Sequence, residues 1–166
     1  MRALIQKYLR DLIYGANDGI VTTLVVMAGG AGAALATNVV VILGAANLLA
    51  DGFSMGASSV LAERSALSAA TRPGLKEAGR HGVATTVGFV IAGLIPLSVY
   101  LLPSAEGFRF QIACVVAAIA LFSIGAARAL FSDRAWLAAG LEMLALGVIA
   151  SGVAYGVGAI AAAVVG

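Results

Sequence analysis

Five apolar stretches, each long enough to cross a bilayer, leave this chain little room for anything else. They run over Gly19–Ala36, Val39–Ala62, Gly82–Leu102, Phe110–Leu130 and Ala135–Val165, the last long enough to tilt or break. A lipid-exposed backbone must satisfy its own hydrogen bonds, so all five are expected to be helices. The expected fold class is therefore all-α, a polytopic membrane protein with five transmembrane helices in a single domain over residues 1–166. Composition agrees: 61% of residues are hydrophobic and 11% charged, and the mean hydropathy is +1.04, far from the soluble range. A net charge of +2 does not point to nucleic acid, because the basic residues lie scattered at segment ends. The lone Cys114 excludes a disulfide framework and a cysteine metal cluster.

Those basic residues carry the topology instead. Arg2, Lys7 and Arg10 precede the first stretch, Arg64, Arg72, Lys76 and Arg80 fall between the second and third, and Arg128 and Arg134 flank the turn between the fourth and fifth. With alternating spans all of these share one side, and only Arg109 lies on the other. The positive-inside rule puts the N-terminus and the loop 63–81 in the cytoplasm and the C-terminus outside. The first two helices, joined only by Thr37-Asn38, form a tight antiparallel hairpin. Residues 1–17 place Leu4, Ile5, Tyr8, Leu9, Leu12 and Ile13 at helical spacing, which reads as an interfacial amphipathic segment or as an extension of the first helix. The basic start, apolar run and Ala34-Leu35-Ala36 also mimic a cleavable signal peptide, against which stand a long basic region and the interrupting Asp18.

Charged and polar side chains inside the apolar stretches are the candidates for chemistry. A charge at membrane depth costs roughly 2.5–3.5 kcal/mol on insertion scales, so each demands a reason. Asp51 lies a dozen residues into the second helix, with Asn47 one turn before it and Met55 one turn after, all on one face. Asp51 could be a buried acid hydrogen-bonded to Asn47, and Met55 alone would be read as packing. Asp18, at the start of the first helix, fits an N-cap as well as a functional acid. Gly52 and Gly56, like Gly152 and Gly156, form small-xxx-small pairs suited to close helix packing, within the chain or against a second copy. Glu142 is expected to pair with Arg128 or Arg134, and His81 to be an interfacial residue.

Carboxylates with one thioether suit a divalent first-row ion, Fe2+ or Mn2+, better than calcium, which wants more oxygens, or copper(I), which wants more sulfur. Metal binding to such acids displaces protons, which gives a physical route to metal/proton exchange.

The segments Arg10-Asp11-Leu12-Ile13-Tyr14-Gly15-Ala16-Asn17-Asp18-Gly19-Ile20-Val21-Thr22-Thr23 and Ala46-Asn47-Leu48-Leu49-Ala50-Asp51-Gly52-Phe53-Ser54-Met55 resemble helices one and two of the vacuolar iron transporter family. The resemblance implies a homodimer in the lipid bilayer whose ion path runs between the two copies of helices one and two. It also implies export of Fe2+, sometimes Mn2+, from the cytosol against inward protons, with no resident cofactor. Asp18 then resembles the family's helix-one pathway aspartate and Met55 its helix-two methionine ligand. Plant members carry a glutamate where this chain has Asn47, so Asp51, one turn on, is expected to supply the missing charge. The metal ligands expected are thus Asp18, Asn47, Asp51 and Met55. Members with a cytosolic metal-binding domain insert a Glu- and Met-rich unit between helices two and three, whereas Glu63 to Arg80 holds only two acids, Glu63 and Glu77, and no methionine.

The function expected is a metal transporter rather than an enzyme, in a bacterial inner membrane. Two other readings stand beside it. A membrane lipid phosphotransferase would need several spaced aspartates where only Asp51-Gly52 is present; a membrane protein that binds metal without moving it, or serves as a scaffold, would need nothing further.

Overall fold

A computed structural model describes residues 2–65, 73–103, 107–129 and 134–165, with side chains described from Tyr8 onward. It holds five helices: α1 Arg2–Gly32, α2 Thr37–Ser65, α3 Leu75–Ser98, α4 Arg109–Arg128 and α5 Trp136–Val165. Each contains a segment long and apolar enough to cross a membrane, so the chain is an integral membrane protein. The core is small: Ile20, Leu24, Met27, Leu48, Phe89, Ala117 and Leu121 are buried among α1 to α4. Large apolar side chains such as Ile42, Phe53, Ile91, Ile119 and Val153 are exposed, as lipid-facing helices require.

What holds these helices together is backbone approach rather than side-chain volume. A β-carbon on Gly15 would collide with the Thr85 carbonyl, one on Gly19 with the Phe89 carbonyl, and one on Gly88 with the Leu12 carbonyl. Along this seam α1 and α3 touch main chain to main chain, the arrangement small residues permit where lipid supplies no hydrophobic drive between helices. A second seam joins α1 to α5, where Gly32 meets the Tyr155 carbonyl and Gly158 the Gly29 carbonyl. On α2 the buried residues Val40, Gly44, Leu48, Gly52 and Gly56 recur every four positions. Gly44, Gly52 and Gly56 pack on Leu97, Val90 and Thr86 of α3, and the Thr86 hydroxyl donates to the Gly52 carbonyl at 2.8 Å. Gly52 and Gly56 therefore serve packing within the chain, whereas Gly152 and Gly156 meet nothing within 4 Å.

The boundaries differ from those expected in three informative places. First, residues 2–17 and the first membrane stretch form one continuous helix; nothing between them breaks it, because Gly15 and Gly19 are held against α3. Second, the α1–α2 turn is not Thr37-Asn38, which opens α2, but Ala33–Ala36. There the Leu35 N–H bonds the Gly30 carbonyl at 2.9 Å and the Ala34 N–H the Ala31 carbonyl at 3.1 Å. Ala34 adopts φ +52°, so the helix ends in a Schellman cap with alanine in the left-handed position that glycine usually takes. Third, α2 extends to Ser65 and α3 starts at Leu75, so the helices intrude on the loop expected over 63–81, of which residues 66–72 lie outside those described. Charged residues end a hydrophobic run without ending a helix, which is why hydropathy placed these bounds too far apart.

Replacing Gly19 with valine should cost more than the 1–3 kcal/mol typical of overpacking, because main chain must move, while Gly152→Ala should stay within about 0.5 kcal/mol. Thermal unfolding of the detergent-solubilised protein measures both; equal effects would refute the seam.

Candidate metal centre

The α1–α3 seam fixes where Asp18 can point. Gly19 faces α3, so its neighbour Asp18 is turned about 100° around α1, away from that contact. The helix runs unbroken through this region, and Asp18 lies in its interior. The N-cap reading is thereby overturned: a residue sixteen positions beyond the helix start at Arg2 has no orphan N–H groups to cap.

Asp51 reaches the same level from α2. Asp18 precedes the end of α1 at Gly32 by 14 residues, and Asp51 follows the start of α2 at Thr37 by 14. Across a short hairpin, equal spacing puts both acids at one depth, about 21 Å from the turn at 1.5 Å per residue. The two carboxyl groups are near enough to interact electrostatically, and both side chains are partly buried. No hydrogen bond or ion pair to either carboxylate occurs among the described residues, so the alternative of an Asp51 hydrogen-bonded to Asn47 is not what the structure shows. Only the Asp18 main-chain carbonyl is engaged, accepting from the Thr22 hydroxyl at 2.9 Å.

Asn47 and Met55 flank Asp51 one turn to either side, about 6 Å along the axis, each one position ahead of the buried stripe facing α3. Asn47 is partly exposed, and Met55 is half-buried against the core. The structure thus brings Asp18 and Asp51 together and sets the amide and thioether on the same α2 flank. Among the described residues no group of three or more His, Cys, Asp or Glu side chains converges, so one chain offers two acids, one sulfur and one amide. Exposed Tyr14, one turn from Asp18, and exposed Leu49 and Phe53 on α2 surround this region.

Other polar groups took places the sequence did not reveal. His81 Nδ1 lies 2.6 Å from Asp11 Oδ2, with the two side chains only 12% and 19% exposed, and the Tyr8 ring sits 4.8 Å from the imidazole. Seventy residues separate that pair, and only the α1–α3 seam brings them together. The Thr85 hydroxyl lies 3.1 Å from the His81 carbonyl and 3.4 Å from the Ser59 hydroxyl. Asn17 Oδ1 is buried without a partner. Glu142 pairs with Arg134 on an exposed face of α5, far along the chain from the acids of α1 and α2.

The sequence model of the VIT family matches residues 9–78 and 64–159, which between them span most of the chain. The chain belongs to the VIT family. Among curated proteins, a vacuolar iron transporter of Toxoplasma gondii is 45% identical to this VIT-family chain over 49 residues. That alignment covers 30% of the chain and 16% of the relative's length.

Two partly buried carboxyl groups that make no hydrogen bond or ion pair among the described residues cost the metal-free fold stability. Asp51→Asn should raise the thermal midpoint by a few degrees, about 1 kcal/mol, whereas Asp11→Asn, which breaks a satisfied pair, should lower it. Unfolding in metal-free detergent decides the point, and a fall for both variants would contradict the assignment.

Proposed function

We propose that this VIT-family protein moves a divalent first-row metal ion, Fe2+ or Mn2+, out of the cytosol in exchange for protons. The observation that carries this reading is the pair of carboxyl groups at one level of α1 and α2 that make no hydrogen bond or ion pair among the described residues. Buried unpaired acids must be neutralised, and a divalent ion and protons are alternative ways to do so. Entry of either displaces the other, which is the elementary step of an exchanger. Asp18 and Asp51 supply the charge, Met55 a soft ligand that favours Fe2+ or Mn2+ over Ca2+ and Mg2+, and Asn47 a neutral oxygen.

The ligand set of one chain also supports a homodimer. Two carboxylates, an amide and a thioether fall short of a well-filled first-row coordination sphere, and a second copy across a two-fold axis doubles each donor. The exposed face of α2 offers a surface for that copy: Ile42, Leu49 and Phe53 alternate with exposed Ser54 and Ser58, hydroxyls that lipid would not favour. The ion path then lies between the paired α1 and α2 helices. Nine of ten basic residues on one side favour a cytoplasmic N-terminus and an external C-terminus, and a bacterial inner membrane is the compartment proposed. Membership of a family that includes a named iron transporter supports transport over catalysis.

In reconstituted vesicles with an imposed pH gradient, wild-type protein should accumulate Mn2+ or Fe2+, and the double variant Asp18→Ala/Asp51→Ala should fall to the level of empty vesicles. Uptake that survives the double substitution would sink the proposal. Equilibrium Mn2+ binding with no flux under any gradient would instead favour a metal-binding protein that does not transport.

A further inference from the structure

Beside the α1–α3 seam lies an open groove, and we infer that it holds an acyl chain of an anionic phospholipid whose phosphate meets Arg80 and Arg10. The groove has a volume of about 240 Å³, and every residue that lines it is apolar. Ala16 of α1 with Gly88 and Ala92 of α3 form its floor, and Ile13 and Ile91 stand at its rims. It exists because the helices meet through main chain: Gly88 lies against the Leu12 carbonyl, and glycine has no side chain to fill the angle beside that contact. A hollow left empty forfeits dispersion contacts along its walls, and in a bilayer the material at hand is hydrocarbon.

Length and charge together select the occupant. From Val87 to Ile95 the groove follows α3 for eight residues, about 12 Å, which fits within the roughly 15 Å of hydrocarbon in one leaflet. Arg80 stands two turns before Val87 on the same face of α3, and Arg10 one turn before Ile13 on α1. The contact of Asp11 with His81, each the next residue in sequence, sets the two arginines at one level. Both are exposed, and neither makes an ion pair among the described residues. Side chains of a helix lean toward its N-terminus, so an arginine at either position extends from the mouth of the groove toward the headgroup layer. Of the nearby acids, Asp11 is bound to His81 and Glu77 is engaged as well. The balance at this end of the seam is positive, which suits a phosphate with no compensating charge in its own headgroup. A second copy of the chain fits less well. Ala16 is turned about 160° around α1 from Asp18, so the groove faces away from the flank assigned above to the dimer.

Lipid selectivity at a reporter inside the groove tests the inference in the full-length protein, without reference to transport. Trp136 is the one native tryptophan, so Trp136→Phe gives a silent background for Ile91→Trp in the groove or Val153→Trp on the exposed face of α5. Each protein is placed in mixed vesicles of phosphatidylglycerol and phosphatidylcholine, with bromine on the acyl chains of one lipid at a time. Quenching at Ile91→Trp should report phosphatidylglycerol enriched about fivefold over its share of the bilayer, and quenching at Val153→Trp no enrichment. Arg10→Gln with Arg80→Gln should remove the enrichment, while quenching at Ile91→Trp with both lipids brominated stays unchanged. Equal selectivity at the two reporters, or enrichment that survives loss of both arginines, would overturn the inference. So would an Ile91→Trp reporter shielded from both lipids, which would show the groove covered by protein.

Discussion

Everything in this fold depends on the main-chain contact between α1 and α3. Where Gly15, Gly19 and Gly88 meet carbonyl oxygens, no side chain intervenes and the two helices have one register. In water such a contact would be a minor supplement to a hydrophobic core. Between lipid-solvated helices it is the principal source of specificity, since the tails are as apolar as leucine and reward no particular packing. A glycine Cα–H that faces a carbonyl contributes about 0.5–1 kcal/mol. That register sets Asp11 against His81 of α3 and turns Asp18 away from the glycine contact.

The acid pair is therefore positioned by a helix that contributes neither acid. α3 holds α1 through glycines and α2 through Gly52, Gly56 and the Thr86 hydroxyl bond. Its burial at the centre of the bundle leaves the flanks of α1 and α2 free to carry polar residues. α5, by contrast, touches α1 near the far end of the membrane and exposes most of its length.

The number of helices, their apolar character and the identity of the unusual acids were legible in the sequence, because hydropathy records burial in lipid directly. The mutual register of the acids was not. With the turn placed at Thr37-Asn38, Asp18 stands 18 residues before Ala36 and Asp51 12 residues after Val39, a mismatch of six residues or about 9 Å. Only the Schellman cap at Ala34 moves the turn and brings the acids level, and an alanine in the left-handed region gives no sequence signal for such a cap. Hydropathy likewise hid the continuity of α1, which turned Asp18 from an apparent cap into a helix-interior charge. The Asp11–His81 pair had no local signal at all, since its partners lie 70 residues apart and meet through glycines whose role is visible only in three dimensions.

The four-residue turn between α1 and α2 also bears on how the chain enters a membrane. Two apolar helices joined by four residues lie side by side as one hairpin, a unit whose backbone is satisfied within each arm when it meets lipid. Because Asp18 and Asp51 stand at equal distances from the turn, an inserting hairpin carries both acids at the same level. The spacing that brings the two acids level in the finished protein is thus already set within the hairpin, before α3, α4 or α5 joins it.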